Sequence, residues 1–403
     1  MLLNATDAIL NTRAVRRYIE ELARGPAPGC EEDELDLLFL THRLLRLRRV
    51  LRGMRRRGRV RARAYPLPRR LIERRTRAGR PLPSRFLEGV DLYHESCFDS
   101  PSIPGVPVVT TIHGLAYLVR PDLAPAPFVE RMTTWLERAV TGSSHFICVS
   151  ETTRGELLSR FPIDPERAST IPLGVSSAFR PGDTEESRAH LLGRFRISGR
   201  FILYLGGIQP NKNIPFLLRV FARLASARGF RGALVLAGDV HYARGELEAM
   251  IDREGITGRV HILGLFPPGD PALVHLYRAA EMLLFPTLYE GWASPPLEAM
   301  ACGTPVVASC ISSLPETVAD GGLLLDPTDE DAWIEGCRRL LYDDAWRARL
   351  TARGSARAAR FPWRRTVEST WELYRRITGA PAALPAPRAT AAEVGADVER
   401  VSA

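Results

Sequence analysis

EMLLFPTLYEGWASPPLEAMACGTPVVAS, residues 281–309, reads as a strand ending near Phe285, a loop carrying Glu290 and Gly291, and a helix that starts after Ser294. Pro295 and Pro296 fit the first helical turn, where the missing N–H costs no hydrogen bond. Gly303, Thr304 and Pro305 end that helix before the next strand. Seven residues separate Glu290 from Glu298. That spacing places one carboxylate in the loop and the other in the adjoining first turn, both facing one crevice. There they can accept hydrogen bonds from sugar and ribose hydroxyls while the loop N–H groups approach a phosphate. Glu298 by itself has a simpler explanation, since acids favour the first turn of a helix.

Upstream, FILYLGGIQPNKNIPFLLRVFARLASARG, residues 201–229, reads as a strand, a turn at Gly206 and Gly207, and a helix with Ile214, Leu217, Leu218, Phe221 and Leu224 on one face. Asn213 is the expected N-cap and Pro215 fits the first turn. Lys212 at this point is the only lysine in the chain; the other basic residues of the 55 are arginine. A lone ammonium in an arginine-rich sequence suits a site that needs a compact point charge, such as a phosphate contact. The plainer reading is a surface lysine at a helix start, where a cation is mildly unfavourable.

Apolar runs alternate with segments of helical period along most of the chain, the pattern of parallel sheets covered by helices. The first half offers strands at MLLNAT, RVRARAY, DLYHES, PVVTTIHG, HFICVS and STIPLG, the second at FILYLGG, ALVLAGD, VHILG, EMLLFPT, PVVAS and GLLLD. The fold class is therefore α/β with two Rossmann-like domains, at 1–177 and 178–360. An amphipathic helix follows at 361–377, and residues 378–403, rich in Ala and Pro, read as a disordered tail. Ligands of such sheets bind beyond the carboxyl ends of the strands.

No stretch approaches a membrane span, and the N-terminus lacks a basic-then-apolar leader, so a cytoplasmic protein is expected. The six cysteines show no metal spacing and read as buried thiols in a reducing compartment. The net charge of +9 has a local origin: Arg43 to Arg80 holds 17 arginines against one acid, Glu73, and the rest of the chain is net acidic. Such a segment suits an anionic membrane surface, at the inner face of the plasma membrane, or an anionic acceptor. A solvated face is the alternative, and nucleic acid ranks last because no DNA- or RNA-binding motif accompanies the charge.

At these residues the chain resembles the GT-B glycosyltransferases of the retaining, mannosyltransferase-like type, family 4 (group 1). The family's paired glutamates match Glu290 and Glu298, and its phosphate-binding lysine matches Lys212. AGD at Ala237 to Asp239, SSLPE at Ser312 to Glu316, VSETT at Val149 to Thr153 and IPLGV at Ile171 to Val175 match as well. The resemblance implies two domains facing across a deep cleft, the last helix returning to the first domain. It also implies a nucleotide diphosphate sugar, GDP- or UDP-linked, as donor, and no metal or other cofactor. The donor site would comprise Gly206, Gly207, Lys212, Glu290, Gly291, Trp292, Ala293 and Glu298, with His113 as the active-site histidine beside Lys212 and Glu290. The acceptor would be a glycan or a lipid-linked sugar in surface polysaccharide or glycolipid synthesis, the hexose being mannose among the candidates. The sequence departs from the family pattern at Ala293, Gly114 and Asn211, and at Ala14 and Arg16 of its first loop. A catalytically silent sugar-nucleotide-binding subunit and an epimerase or hydrolase of the same fold are the alternatives.

Overall fold

Each half of the chain builds its own parallel sheet. In the computed structural model the described residues are 1–6, 8, 13–24, 33–40, 47, 48, 50, 51, 60–65, 71, 74, 78, 80, 87–96, 103, 105–226, 230–243, 245–267 and 269–379. The first sheet contains β1 (Leu2–Asn4), β2 (Leu35–Leu40), β3 (Val60–Tyr65), β4 (Tyr93–Glu95), β5 (Val108–Ile112), β6 (His145–Cys148) and β7 (Ala168–Thr170), in the order β3-β2-β1-β4-β5-β6-β7. The second contains β8 (Phe201–Leu205), β9 (Ala233–Ala237), β10 (Val260–Leu263), β11 (Leu283–Phe285), β12 (Val306–Ser309) and β13 (Leu323–Leu325), in the order β10-β9-β8-β11-β12-β13. All pairings are parallel. Central strands such as β1, β8 and β11 are buried at every position, as parallel strands covered on both faces must be.

The six strands expected in the second half are all present. In the first half β2 was not anticipated. Its LDLLFL is buried at every residue, and a continuous apolar run has no alternation to separate strand from helix.

The chain divides into two compact units. One holds Met1–Gly174 and the last helix, Trp363–Thr378; the other is Val175–Pro362. That helix buries Trp363, Thr366, Thr370, Trp371, Leu373 and Tyr374. Thr366 Oγ1 donates to the Pro172 carbonyl at 2.7 Å, and Arg375 pairs with Asp33 at 3.0 Å. Residues beyond 379, including nearly all of the expected tail, lie outside the described residues.

So does most of the Arg43 to Arg80 segment. Two of its described members, Arg61 and Arg63 on β3, pair with Glu34 and Asp36 at 3.1 and 2.5 Å. These acids lie on β2 and immediately before it, outside the arginine segment. Of the described cysteines, Cys148, Cys302 and Cys337 are buried, but Cys310 is exposed, a correction to the expectation of buried thiols. Cys310 stands directly after β12, where the chain leaves the sheet.

A buried polar chain links the last helix to the first sheet. Tyr374 Oη bonds His94 Nδ1, His94 Nε2 bonds Thr111 Oγ1 at 2.7 Å, and Thr111 Oγ1 bonds Tyr18 Oη at 3.2 Å. His94 and Tyr374 are 0% and 1% exposed. Burial, reinforced by the nearby His113, pushes the His94 pKa down to about 3. The unfolded chain, with a histidine pKa of about 6.5, therefore takes up the proton first. Stability from a neutral His94 is complete above pH 6.5 and is lost as pH falls from there toward 3. Between pH 7 and pH 5 the loss should be about 2 kcal/mol, read from urea midpoints of wild type and His94→Gln, which has no titrating group. An equal loss in both proteins would contradict a buried neutral His94.

Candidate active site

In the second sheet the strand order reverses between β8 and β11, and the loops after these two strands meet at that point. The β8 loop is held from below. Gly206 N donates to Ala237 O at 3.0 Å, Ile208 N to Asp239 O at 2.7 Å, and Tyr204 Oη to Gly207 O at 2.7 Å. Gly238 permits this approach: a Cβ there would lie 1.8 Å from the Gly206 carbonyl oxygen. A short 3-10 turn, Pro210–Lys212, follows, and the helix Ile214–Ser226 then buries its apolar face.

Asn213 is not the side-chain cap expected there. It adopts a left-handed conformation, φ 56°, and its amide donates to the Pro327 carbonyl at 3.1 Å. This sharp bend turns the chain from the 3-10 turn into the helix. Lys212, at the end of the turn, reaches Glu290 in the β11 loop, with Nζ 2.5 Å from Oε1. Both side chains are 13% exposed.

Two further contacts lock the loops together. The Asn211 carbonyl accepts from Leu288 N at 2.9 Å and from Thr287 Oγ1 at 3.2 Å. Asn211, noted as a departure from the family pattern, thus contributes its backbone to the site. On the other side Ser312 Oγ accepts from Glu290 N at 2.9 Å and donates to Glu290 O at 2.5 Å, while Ser313 Oγ donates to the same carbonyl at 3.0 Å. The two serines clamp the peptide that carries the Glu290 carboxylate. The SSLPE stretch was visible in the sequence, but its spacing from Glu290 gave no sign of this role.

Glu298 lies in the second turn of the helix Ser294–Ala301, not in the first as expected, because the helix already begins at Ser294. Its Oε2 accepts from Tyr277 Oη at 2.8 Å. Tyr277 had no sequence signal of its own. Ala293, where the family commonly has glycine, is buried with φ −101°, a conformation open to any L-residue, so the substitution introduces no strain. Trp292 packs edge-on against Phe361, centroids 5.3 Å apart, and its buried indole N–H has no hydrogen-bond partner. A buried donor left unpaired is costly, and a ligand acceptor would relieve it.

A mostly buried ion pair such as Lys212–Glu290 gains little net stability over an apolar replacement, yet removing either partner strands a charge. The pair therefore holds an ammonium in place beside glycine-lined loops at the carboxyl ends of the strands, a setting suited to a phosphate.

His113 belongs to the first unit and stands directly after β5. Both ring nitrogens are buried and lack a hydrogen bond. Burial pushes its pKa down to about 4, an effect that the Ser96 backbone opposes without forming a well-aligned hydrogen bond. The imidazole is thus neutral near pH 7, able to donate from one nitrogen and accept at the other. Gly114 follows with φ 137°, a backbone conformation that L side chains rarely adopt, so the departure there matches the local geometry.

Two family models match the chain: "Glycosyl transferases group 1" over residues 199–343 and "Glycosyltransferase Family 4" over residues 15–179. The O-antigen chain mannosyltransferase B of Escherichia coli is 34% identical over 268 residues, 66% of this chain and 70% of that protein. The D-inositol 3-phosphate glycosyltransferase of Frankia alni is 34% identical over 290 residues, 70% of each. Among solved structures, sucrose-phosphate synthase from Thermosynechococcus elongatus superposes with a TM-score of 0.70 at 20% identity, covering 94% of this chain and 99% of that one. That likeness establishes the GT-B fold. With the identity to the mannosyltransferase spanning more than two thirds of its length, the chain belongs to the group 1, family 4 glycosyltransferases.

Proposed function

We propose that this glycosyltransferase transfers a hexose, mannose first among the candidates, from a nucleotide diphosphate sugar to a glycan or lipid-linked acceptor, with retention of configuration and without a metal. The observation that carries the reading is the Lys212–Glu290 pair at the β8/β11 switch point, 2.5 Å apart and largely shielded from water. The E. coli relative named for mannosyl transfer supports the choice of sugar.

In this reading the diphosphate lies over Gly206 and Gly207 against Lys212, with the Gly291 and Trp292 N–H groups and Ala293 lining the donor. Glu298 takes the ribose hydroxyls and Glu290 the donor sugar. Cleavage of the anomeric carbon–oxygen bond leaves its electron pair on the diphosphate, and Lys212 stabilises that developing charge. The departing phosphate oxygen accepts the acceptor hydroxyl's proton on the face where the new bond forms, which retains configuration. His113, neutral and with unpaired nitrogens, hydrogen-bonds the donor sugar or its phosphate.

A thermal-shift screen of GDP, UDP and ADP sugars without added metal tests the donor site. One nucleotide sugar at about 100 times its Kd should stabilise the protein by about 2.7 kcal/mol, with no comparable shift in Lys212→Ala. Absence of any shift at millimolar concentrations would point to a subunit that does not bind donor. In turnover assays, Lys212→Ala should lose roughly 100-fold or more in kcat, the scale set by removing one charge-stabilising donor. Lys212→Arg should not restore the rate, because a planar fork does not reproduce a compact ammonium. Full activity in Lys212→Arg would show that any cation suffices.

We also propose peripheral attachment of this protein to anionic membrane through Arg43 to Arg80. Among the described residues no helix is long and apolar enough to cross a membrane. Sedimentation with phosphatidylserine-containing vesicles should exceed that with neutral ones and weaken as salt is raised. Equal sedimentation with both would leave the arginines as a solvated face.

A further inference from the structure

Neither His113 ring nitrogen has a well-aligned hydrogen bond; the Ser96 backbone acts on the ring without forming one. The ring packs against Tyr18 in a T-shaped arrangement, centroids 5.4 Å apart and planes at 82°. An aromatic edge contact tolerates slip, so the ring's orientation depends on how firmly Tyr18 is held. Tyr18 is 1% exposed; its hydroxyl ends the chain Tyr374–His94–Thr111–Tyr18 and also interacts with Thr370 of the last helix. Thr111 and His113 are two residues apart along β5 and its end, so they project to the same face of the sheet. The rings of His94 and Tyr374 also meet edge-on, centroids 5.5 Å apart. A neutral imidazole donates from one nitrogen and accepts at the other, so His94 can join both hydroxyls at once.

We propose that Tyr374, His94 and Thr111 are positioning residues for His113, acting through Tyr18 to set where its unpaired nitrogens point. The last helix, far from His113 in sequence, thereby takes part in aligning the active-site imidazole. This inference rests on the catalytic reading of His113. The competing account is that the chain only anchors the last helix to the sheet.

Tyr374→Phe removes one hydroxyl and keeps the ring that packs on Trp371, centroids 5.4 Å apart. In the full-length protein, imidazole nitrogen NMR signals of His113, assigned by their loss in His113→Ala, should shift and broaden in Tyr374→Phe and in Thr111→Val. Unchanged His113 signals in folded Tyr374→Phe overturn the proposal whatever the activity. In turnover, Tyr374→Phe should lower kcat roughly tenfold, the size expected for one disturbed hydrogen bond, leaving KM for the sugar nucleotide unchanged. Combined with His113→Ala it should add nothing, since the two changes act through one group; additive losses overturn the proposal. If His113→Ala leaves turnover intact, the catalytic reading of His113 fails, and the NMR comparison still decides whether the chain positions the ring. Should Tyr374→Phe not fold, His94→Gln, which retains a donor and an acceptor, should give near-native His113 signals while His94→Leu displaces them; identical spectra for the two overturn it.

Discussion

Where the strand order of a parallel sheet reverses, the connections from the two adjacent strands leave on opposite faces and a crevice opens at their carboxyl ends. In the second unit β8 is followed in the sheet by β9 on one side and β11 by β12 on the other. The surrounding hydrogen bonds serve to control that gap. Asn211 O holds the β11 loop through Leu288 and Thr287, and Asp239 and Ala237 hold the β8 loop from the adjoining strand's end. Beside this backbone link, the Lys212 and Glu290 side chains join the same two loops.

The first unit meets the same constraint between β1 and β4 and answers it differently. Asn4 Nδ2 donates to the two Glu95 carboxylate oxygens at 3.1 and 3.3 Å, Tyr93 Oη donates to Oε2 at 3.1 Å, and Ser96 Oγ donates to Asn4 O at 2.5 Å. These groups satisfy one another, and among the described residues two buried polar groups without a partner stand just beyond β5. His113 after β5 is one, and the Tyr117 hydroxyl, whose pKa burial drives upward, is another. The two units share an architecture, yet the second brings opposite charges together at its switch point and the first places neutral groups beside its own.

The sequence made the second unit nearly transparent. Strands there are short, apolar and bounded by Gly and Pro, and the candidate residues Lys212 and Glu290 each follow a strand, so strand ends alone point to them. Residues that act from other elements escaped. Tyr277 approaches Glu298 from a preceding helix, and Ser312 and Ser313 approach Glu290 from beyond β12. Their roles depend on side-chain directions that pattern does not encode. Asn213 is a bend residue and not a cap because a short turn precedes the helix, and an Asn alone does not signal a left-handed conformation. In the first unit β2 hid among residues with no alternation, and His94 carried no sign that a tyrosine 280 positions away would bond it.

The retained lysine follows from the geometry of the pair. Glu290 is clamped by its own peptide, so its carboxylate cannot withdraw far when an anion arrives. The cation must then serve two negative groups at once, which favours a compact ammonium with three donors over a planar guanidinium committed to one bidentate partner. Pairing with Glu290 also holds the Lys212 side chain in one orientation, so little side-chain ordering remains to be done on binding. Where a phosphate replaces part of that contact, the carboxylate is left with hydrogen-bond capacity that a sugar hydroxyl can fill. On the proposed reading, donor phosphate and donor sugar would be recognised by the two halves of one ion pair, and a ligand offering only one of them would leave the other half of the exchange uncompensated.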